Sequence, residues 1–235
     1  MTNESAHFMV SGWKLRESGY SAPGQSRVTV MRILRFSIFI ILIWLIHGCA
    51  ISNRSIANRE LQEAGADAYE RGDYHEALHI LEPLAEQGNA LAQTKLGNMY
   101  YLGLGVPEDD GEAARWFSKA ANQGDPEAQV MLGTLYVLGT GVSQDYGEAA
   151  RMFRFPAEQG IGGAQFLLGM LYMNGTGVSK DSVQAYAWME LAIQRGSKAA
   201  REARRILSEQ MTSEQIDRAE AMAQAWKPGR SIIGD

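Results

Sequence analysis

A repeat of 36 residues runs through the centre of this chain and constrains its fold more than any other feature. Small and aromatic residues return at this step in a single register. The recurring positions are Ala92-Gln93, Ala128-Gln129 and Ala164-Gln165; Leu96-Gly97, Leu132-Gly133 and Leu168-Gly169; Tyr100, Tyr136 and Tyr172; Gly105, Gly141 and Gly177; and Asp109, Asp145 and Asp181. Such a period is typical of solenoids, in which each unit packs on its neighbours.

The first part of each unit has the pattern of a packed helix. In the first unit Gln93, Leu96, Gly97 and Tyr100 follow the three- and four-residue steps of one helical face. A glycine inside a helix costs roughly 1 kcal/mol relative to alanine. Its return at every unit therefore predicts that a second helix approaches closely at this point.

The second part of each unit is predicted to be the partner helix. Gly103 and Gly105 are expected to end the first helix, because glycine accepts the positive φ that helix C-termini favour. Asp109 and Glu112 then have the spacing of a capping box, as do Asp145 with Glu148 and Asp181 with Gln184. The predicted buried residues of the second helices are Ala113, Trp116, Phe117; Ala149, Met152, Phe153; and Ala185, Trp188, Met189.

The pattern A-Q-x-x-L-G-x-x-Y-x-x-G-x-G-V-x-x-D-x-x-x-A resembles the Sel-one-like repeat (SLR), a relative of the tetratricopeptide repeat, over residues 90–197. The resemblance implies an all-α fold, a right-handed α-solenoid of antiparallel helix pairs, and a non-enzymatic protein-binding function without a cofactor. The units are predicted at 90–125, 126–161 and 162–197. Upstream, 60–89 resembles a tetratricopeptide pair. Its Tyr69 and Ala77 are 8 residues apart, whereas the corresponding residues of the later units are 13 apart, so the glycine-valine loop is missing. Downstream we expect capping helices over 198–228, with Thr212 and Gln215 capping the last one, and a tail at 229–235.

The N-terminal segment has the pattern of a secretory leader. Arg32 and Arg35 precede an apolar run from Phe36 to Ile46, which is shorter than the about 20 residues that a transmembrane helix needs. Ile46-His47-Gly48-Cys49 resembles the lipobox of bacterial lipoproteins, which implies a signal peptide over 31–48 and lipid attachment at Cys49. Ala50 after the cysteine favours the outer membrane by the same resemblance. An uncleaved inner-membrane signal anchor and a cytoplasmic regulatory adaptor are the alternatives. We expect 1–30 to be an over-extended, disordered start and 49–59 to be a linker.

Charge and cysteine content exclude several classes of function. From Cys49 onward the chain has 17 basic and 25 acidic residues, whereas nucleic-acid binding needs clustered lysine and arginine. With Cys49 as the single cysteine, the chain has neither an internal disulfide nor a cysteine-based zinc cluster. No nucleic-acid partner is expected. The resemblance to the Sel-one-like repeat implies another protein as the partner, and the leader implies a membrane.

One short motif indicates a different chemistry. His75-Glu76-Ala77-Leu78-His79 has the H-E-x-x-H spacing of zinc proteases, so a zinc-dependent hydrolase is the alternative function. On a helical wheel both histidines lie opposite the apolar face, Pro83 is expected to interrupt the helix, and Asp73 is expected to form a capping box with Glu76. We therefore expect a solvated surface, and no catalytic or metal site.

A basic helix face and a variable helix face are the remaining candidate surfaces. Lys198, Arg201, Arg204 and Arg205 lie close together on the first closing helix, where they would bind an acidic partner or lipid phosphates, or form a solvated face with Glu202 and Glu209. The variable face has the spacing i, i+4, i+7. Its resemblance to tetratricopeptide repeats implies that it lines the concave, protein-binding groove; an alternative is that its last three residues pack on the closing helices. Its residues are Thr94, Asn98, Tyr101; Val130, Thr134, Val137; and Phe166, Met170, Met173.

Overall fold

Helices joined by short turns make up the regular structure of the part of the chain that this computed structural model describes, residues 58–230 and residue 232. Ten helices follow one another there. They are α1 (58–71), α2 (Tyr74–Glu86), α3 (Ala90–Leu102), α4 (Asp110–Ala121), α5 (Pro126–Leu138), α6 (Tyr146–Glu158), α7 (Gly162–Asn174), α8 (Ser182–Gln194), α9 (Lys198–Ser208) and α10 (Ser213–Ala225). The predicted all-α solenoid is confirmed.

The helices pack in sequence order, and the stack has an inner and an outer side. From α2 to α9 each helix packs on the next one along the chain. In addition, α3 contacts α5 and α7 contacts α9, whereas no comparable contact joins the second helices α2, α4, α6 and α8 of the described repeats. The first helices are therefore closer together than the second helices, and we call the side that they form the concave face.

The recurring helical glycines lie where two helices of one repeat approach each other. A Cβ atom on Gly97 would lie 2.5 Å from the ring of Phe117, and one on Gly133 would lie 2.6 Å from the ring of Phe153. Both phenylalanines are fully buried. The predicted close approach is confirmed, because a side chain at either glycine would overlap the aromatic ring of the partner helix.

Paired glycines shape the loop between the two helices of a repeat. Gly103 (φ 65°) and Gly105 (φ 72°) have the expected left-handed backbone conformation, as do their counterparts in the next two repeats. The second glycine of each loop also contacts the preceding repeat. A Cβ atom on Gly141 would overlap the backbone carbonyl of Asp110 at the start of α4, and one on Gly177 would overlap the backbone of Tyr146 at the start of α6.

The aspartates at the starts of the second helices cap them as predicted. The carboxylate of Asp109 accepts a hydrogen bond from the backbone N–H of Glu112, and Asp145 and Asp181 each accept two such bonds. In a full capping box the side chain of the third residue also accepts a hydrogen bond from the backbone N–H of the capping residue. The prediction of this second bond is wrong for Glu112, because its side chain forms an ion pair with Arg115 on the next turn. Glu148 does the same with Arg151.

The predicted capping box at the start of α2 is also wrong. Asp73 makes no side-chain hydrogen bond to the helix N-terminus, and its carboxylate instead accepts a hydrogen bond from Arg71. Glu76 pairs with the same arginine. Pro83 lies inside α2 and does not interrupt it, since the helix continues to Glu86.

A buried glutamine joins each repeat to the one before it. The Nε2 group of Gln93 donates to the backbone carbonyl of Ala85 at 2.9 Å, and the Nε2 group of Gln165 donates to the carbonyl of Ala157 at 3.1 Å. Gln129 makes the equivalent bond at 3.2 Å. Each of these carbonyls also accepts a backbone hydrogen bond, from Gly88, Gly124 or Gly160, so the glutamine adds a second bond that ties the repeat to the last turn of the preceding second helix.

The C-terminal helices close the solenoid in an unexpected way. α9 takes the position of a further first helix, since it packs on α8 and α7. α10 has the predicted capping box of Thr212 and Gln215, but it packs on α8 rather than on α9. The hydroxyl of Tyr186 on α8 donates to Glu220 on α10, and the N–H of Gly229 donates to the carbonyl of Glu158 at the end of α6. α10 and the residues after it therefore cover the outer side of the last repeat.

The predictions for the leader lie outside the described residues. They concern the start at 1–30, the signal peptide at 31–48, the linker at 49–59 apart from its last two residues, and lipid attachment at Cys49. Among the helices that the structure describes, none combines the length and the apolar character needed to cross a membrane.

Candidate protein-binding surface

The concave face has a regular set of exposed side chains, four from each first helix. Within a helix they follow the spacing i, i+4, i+7, i+11, and each is at least partly exposed. We call these sets the concave rows. They are Glu60, Ala64, Asp67, Arg71 on α1; Leu91, Lys95, Asn98, Leu102 on α3; Glu127, Met131, Thr134, Leu138 on α5; Gly163, Leu167, Met170, Asn174 on α7; and Ala199, Ala203, Ile206 on α9 with Gln210 after it.

Three of the nine predicted groove residues, Asn98, Thr134 and Met170, lie in the concave rows. The prediction is wrong for Thr94, which is 2% exposed and donates its hydroxyl to the carbonyl of Ala90. The other five are half-buried at the sides of the rows, where they pack against neighbouring core residues. They are Tyr101, Val130, Val137, Phe166 and Met173.

The structure adds large apolar residues that the sequence analysis missed. Leu102 and Leu138 are each 56% exposed, and Ile206 is 38% exposed. The two leucines stand 36 residues apart, directly before the glycines that end α3 and α5, and outside the Leu-Gly-Tyr pattern of the core. This recurrence in the sequence could have indicated the two leucines as surface residues, because an apolar residue off the packed face of a helix is not explained by the core.

The charged side chains of the concave rows lie on α1 and α3 and at the start of α5. The ammonium group of Lys95 lies 2.9 Å from the carboxylate of Glu70 and 4.5 Å from the ring centre of Tyr69. Burial alone would lower the pKa of Lys95, but the hydrogen bond that Lys95 donates to Glu70 and the nearby charge of Glu127 outweigh it, so the pKa is raised. Lys95 is therefore a charged side chain whose charge is already balanced.

Carboxylates dominate what remains of this polar region. Glu127 accepts a hydrogen bond of 3.0 Å from the amide of Asn98, which ties α5 to α3. Glu60, Asp67 and Glu127 form no ion pair with a basic side chain of the described chain, whereas Arg71 is paired with Asp73 and Glu76. The α1 end of the concave face consequently has an excess of negative charge.

The H-E-x-x-H residues lie on a different surface. His75, Glu76 and His79 are all exposed on α2, on the side away from its packed residues. Glu76 is held by Arg71. Among the described residues there is no group of three or more histidine, cysteine, aspartate or glutamate side chains that could hold a metal ion.

The basic residues of α9 are partly balanced by neighbours. Arg204 pairs with Glu190 and lies over the ring of Tyr186, and Arg205 pairs with both Glu202 and Glu209. The hydrogen bond and charge of Arg205 lower the pKa of Glu202. This face therefore contains alternating charges, as a solvated helix face does.

Comparison with known proteins agrees with the repeat pattern. The family model described as Sel1 repeat matches four stretches that together make up more than half of the chain: 56–89, 90–125, 126–161 and 163–197. The first of these stretches contains the helix pair that the sequence predicts to be tetratricopeptide-like, because the loop between its helices is short. Its two helices are joined by two residues only, whereas seven residues separate α3 from α4.

Curated relatives and solved structures show the same repeat in longer proteins. The chain is 49% identical over 51 residues to the ERAD-associated E3 ubiquitin-protein ligase component HRD3B of Arabidopsis thaliana, covering 21% of this chain and 8% of that protein. For the component HRD3A of the same plant the identity is 43% over 60 residues, covering 25% and 9%.

Two bacterial structures share the fold over a larger part of the chain. A protective antigen of uropathogenic Escherichia coli strains that displays an SLR fold has a TM-score of 0.59 and 39% identity, covering 63% of this chain and 32% of that one. A Sel1 repeat protein from Oxalobacter formigenes has a TM-score of 0.55 and 35% identity, covering 58% and 56%. The chain thus spans less than two thirds of each of these four proteins.

Proposed function

This chain belongs to the Sel1 repeat family, and we propose that it is a protein-binding scaffold whose concave face holds a peptide or helix of another protein. Sel1 repeat proteins act as protein-interaction scaffolds and are typically non-catalytic. Two of the plant relatives are, by their names, components of a ubiquitin-protein ligase. These facts support an adaptor function here as well.

The observation that carries the proposal is the presence of exposed apolar side chains on three first helices of the concave face. Leu102, Leu138 and Ile206 are each more than one third exposed, and they lie on three different first helices. Burying apolar surface releases about 25 cal/mol per Å². Exposed apolar residues on one face are thus typical of a surface that another protein covers.

We also propose that the scaffold acts in the bacterial cell envelope, on the periplasmic side of the outer membrane. The support is the sequence before the described residues, where an apolar leader ends at Cys49. A lipid on this cysteine would hold the solenoid at the membrane, while the linker would leave its concave face accessible.

Site-specific photo-crosslinking in intact cells tests the binding surface. A photoreactive phenylalanine analogue is placed at Leu138 or at Met170 on the concave face, and at Phe155 as the control. Phe155 is a matched control because it is a large apolar residue of α6, a second helix, and is 43% exposed. We expect one protein to be crosslinked from both concave positions and not from position 155. Crosslinks of equal yield from all three positions would contradict the proposal.

A further inference from the structure

The concave rows change in polarity along the solenoid. At the third position of the rows, going from α1 to α9, the residues are Asp67, Asn98, Thr134, Met170 and Ile206. Each step replaces a side chain with a less polar one, from a carboxylate through an amide and a hydroxyl to a thioether and an alkyl group. The fourth position does not follow this order, since Leu102 and Leu138 lie at the ends of α3 and α5, and the amides Asn174 and Gln210 lie at the ends of α7 and α9. The charged residues of the rows, however, all belong to α1, α3 and the start of α5, and none belongs to α7 or α9. On this ground we call the α1 end polar and the α9 end apolar.

The polar end is acidic, because its carboxylates outnumber the basic groups that are free to balance them. Glu60, Asp67 and Glu127 stand without an ion-pair partner in the described chain. The two basic residues of these rows are already paired, Arg71 with Asp73 and Glu76, and Lys95 with Glu70. A ligand that covers this end would gain from basic side chains and would be repelled if it were acidic.

The apolar end has large side chains beside small ones. Leu167 and Met170 of α7 stand next to Ala203 and Ile206 of α9, all partly exposed. α10 leaves this surface open because it packs on α8, on the other side of the stack. Two small residues, Ala199 and Ala203, begin the α9 row.

We propose that the concave face binds a segment with one basic end and one apolar end, in a single orientation. The basic end lies on α1, α3 and the start of α5, and the apolar end lies on α7 and α9. This inference rests on the proposed function, since it specifies the chemistry of the partner at that same surface. It goes further in that the order of residues in the ligand, and not only its composition, decides binding.

The length of the ligand follows from the spacing of the helices. Packed helices lie about 8–10 Å apart, so the four steps from α1 to α9 span roughly 40 Å. An extended segment rises at most about 3.3–3.6 Å per residue and would need about 12 residues to cover this span. A helical segment would need roughly 26 residues at about 1.5 Å each.

Two peptides of identical composition provide the test. The first has four lysines followed by a stretch of leucine, phenylalanine and serine, 14 residues in all, and the second has the same residues with the lysines interspersed. Binding of each fluorescent peptide to the full chain is measured by anisotropy. We expect the ordered peptide to bind at least tenfold more tightly than the interspersed one.

Charge reversal at the acidic end tests the orientation. In the double variant Asp67→Lys, Glu127→Lys the ordered lysine peptide should lose at least tenfold in affinity, and a peptide with four glutamates in place of the lysines should gain. Glu82→Lys with Glu86→Lys is the matched control, because these exposed carboxylates lie on α2, a second helix. A misfolded variant would not bind the glutamate peptide more tightly. An increase in the affinity for that peptide therefore separates recognition of charge from loss of structure.

The apolar end is tested with a photoreactive group on the last residue of the ordered peptide. We expect it to label α7 or α9, and Ile206→Glu should weaken binding whereas Phe155→Glu should not. Equal affinity of the two peptides, or labelling of α1, would overturn the inference while leaving the binding face in place. If neither peptide binds, the inference is overturned as well. The proposed function is tested separately, by the crosslinking from Leu138 and Met170. Self-association of the chain through this face, seen by sedimentation velocity, would also overturn it, since a second copy would then be the occupant.

Discussion

Adding one methyl group at a helical glycine should have three different outcomes in this chain, depending on what the methyl group meets. In Gly97→Ala the new carbon would lie 2.5 Å from Phe117, whose ring is fully buried. Carbon atoms in contact are normally about 3.5–4.0 Å apart, so the two helices would have to separate by about 1 Å. Overpacking of this kind typically costs about 1–3 kcal/mol, and alanine returns roughly 1 kcal/mol of helix propensity.

We therefore expect Gly97→Ala to lower the free energy of unfolding by up to about 2 kcal/mol. In Gly169→Ala the nearest atoms, the carbonyl of Ala185 and Cγ of Met189, are both at 3.2 Å, so strain and propensity should nearly cancel. Gly163 has no atom within 4 Å of the added carbon, and Gly163→Ala should stabilise the protein by about 0.4–1 kcal/mol.

The assay is urea unfolding of the full chain, followed by circular dichroism, with thermal melting as a second measurement. A loss of 1 kcal/mol should lower the melting temperature by about 2–4 °C in a protein of this size. A double-mutant cycle with Phe117→Leu gives an internal check, because Gly97→Ala should cost less when the ring is absent. If Gly97→Ala were as stabilising as Gly163→Ala, the packing argument for the repeated glycines would be refuted.

Three further predictions concern a cap, the buried tryptophans and the anchor. Asp145→Ala should cost about 1 kcal/mol in urea unfolding because two N–H groups lose their acceptor, whereas Asp73→Ala, where there is no cap to lose, should change stability by less. Trp116→Ala and Trp188→Ala should each cost about 3–5 kcal/mol, since both side chains are at most 4% exposed; an unchanged unfolding midpoint would contradict their place in the core. Cys49→Ala should release the protein from the membrane fraction and abolish labelling with palmitate, and unchanged fractionation without any labelling of the parent chain would refute lipid attachment.

The helices and their order could be predicted from the sequence because each local signal has one structural meaning. A glycine at positive φ ends a helix, and an aspartate three residues before an acidic or amide residue begins one, as at Gly103 and Asp109. The agreement of these signals at a constant step made the solenoid a firm expectation. The reciprocal bond from Glu112 failed, because a nearby arginine is a better partner for its side chain than the backbone.

The residues predicted for the binding face lie mostly beside the concave rows rather than in them, and the reason is physical. Variation among Thr94, Val130 and Phe166 predicts a surface that is free to specialise, but Thr94 is 2% exposed, and Val130 and Phe166 are half-buried against core residues, so their variation equally reflects local packing. Variation alone does not separate the two causes. The exposed Leu102 and Ile206 would have been needed to centre the face, and whether they are exposed depends on tertiary contacts.

The path of α10 was also beyond the sequence. Its pattern shows an amphipathic helix with a buried stripe of Ala219 and Ala223, and such a stripe fits several neighbours equally well. Its place on α8 depends on contacts between distant residues, such as the hydrogen bond from Tyr186 to Glu220. Local pattern therefore predicts that the helix forms but not which surface it covers.

The glycines that join one repeat to the next have a consequence for how such a chain grows. At Gly141 and Gly177 the junction is a contact between backbone atoms, so it does not depend on which side chains the two neighbouring repeats carry. A copied block of 36 residues can therefore be inserted between two existing blocks without any compensating substitution at this contact. Gene duplication can lengthen the solenoid in whole units, and each new unit then diverges at its exposed positions while these backbone contacts stay the same.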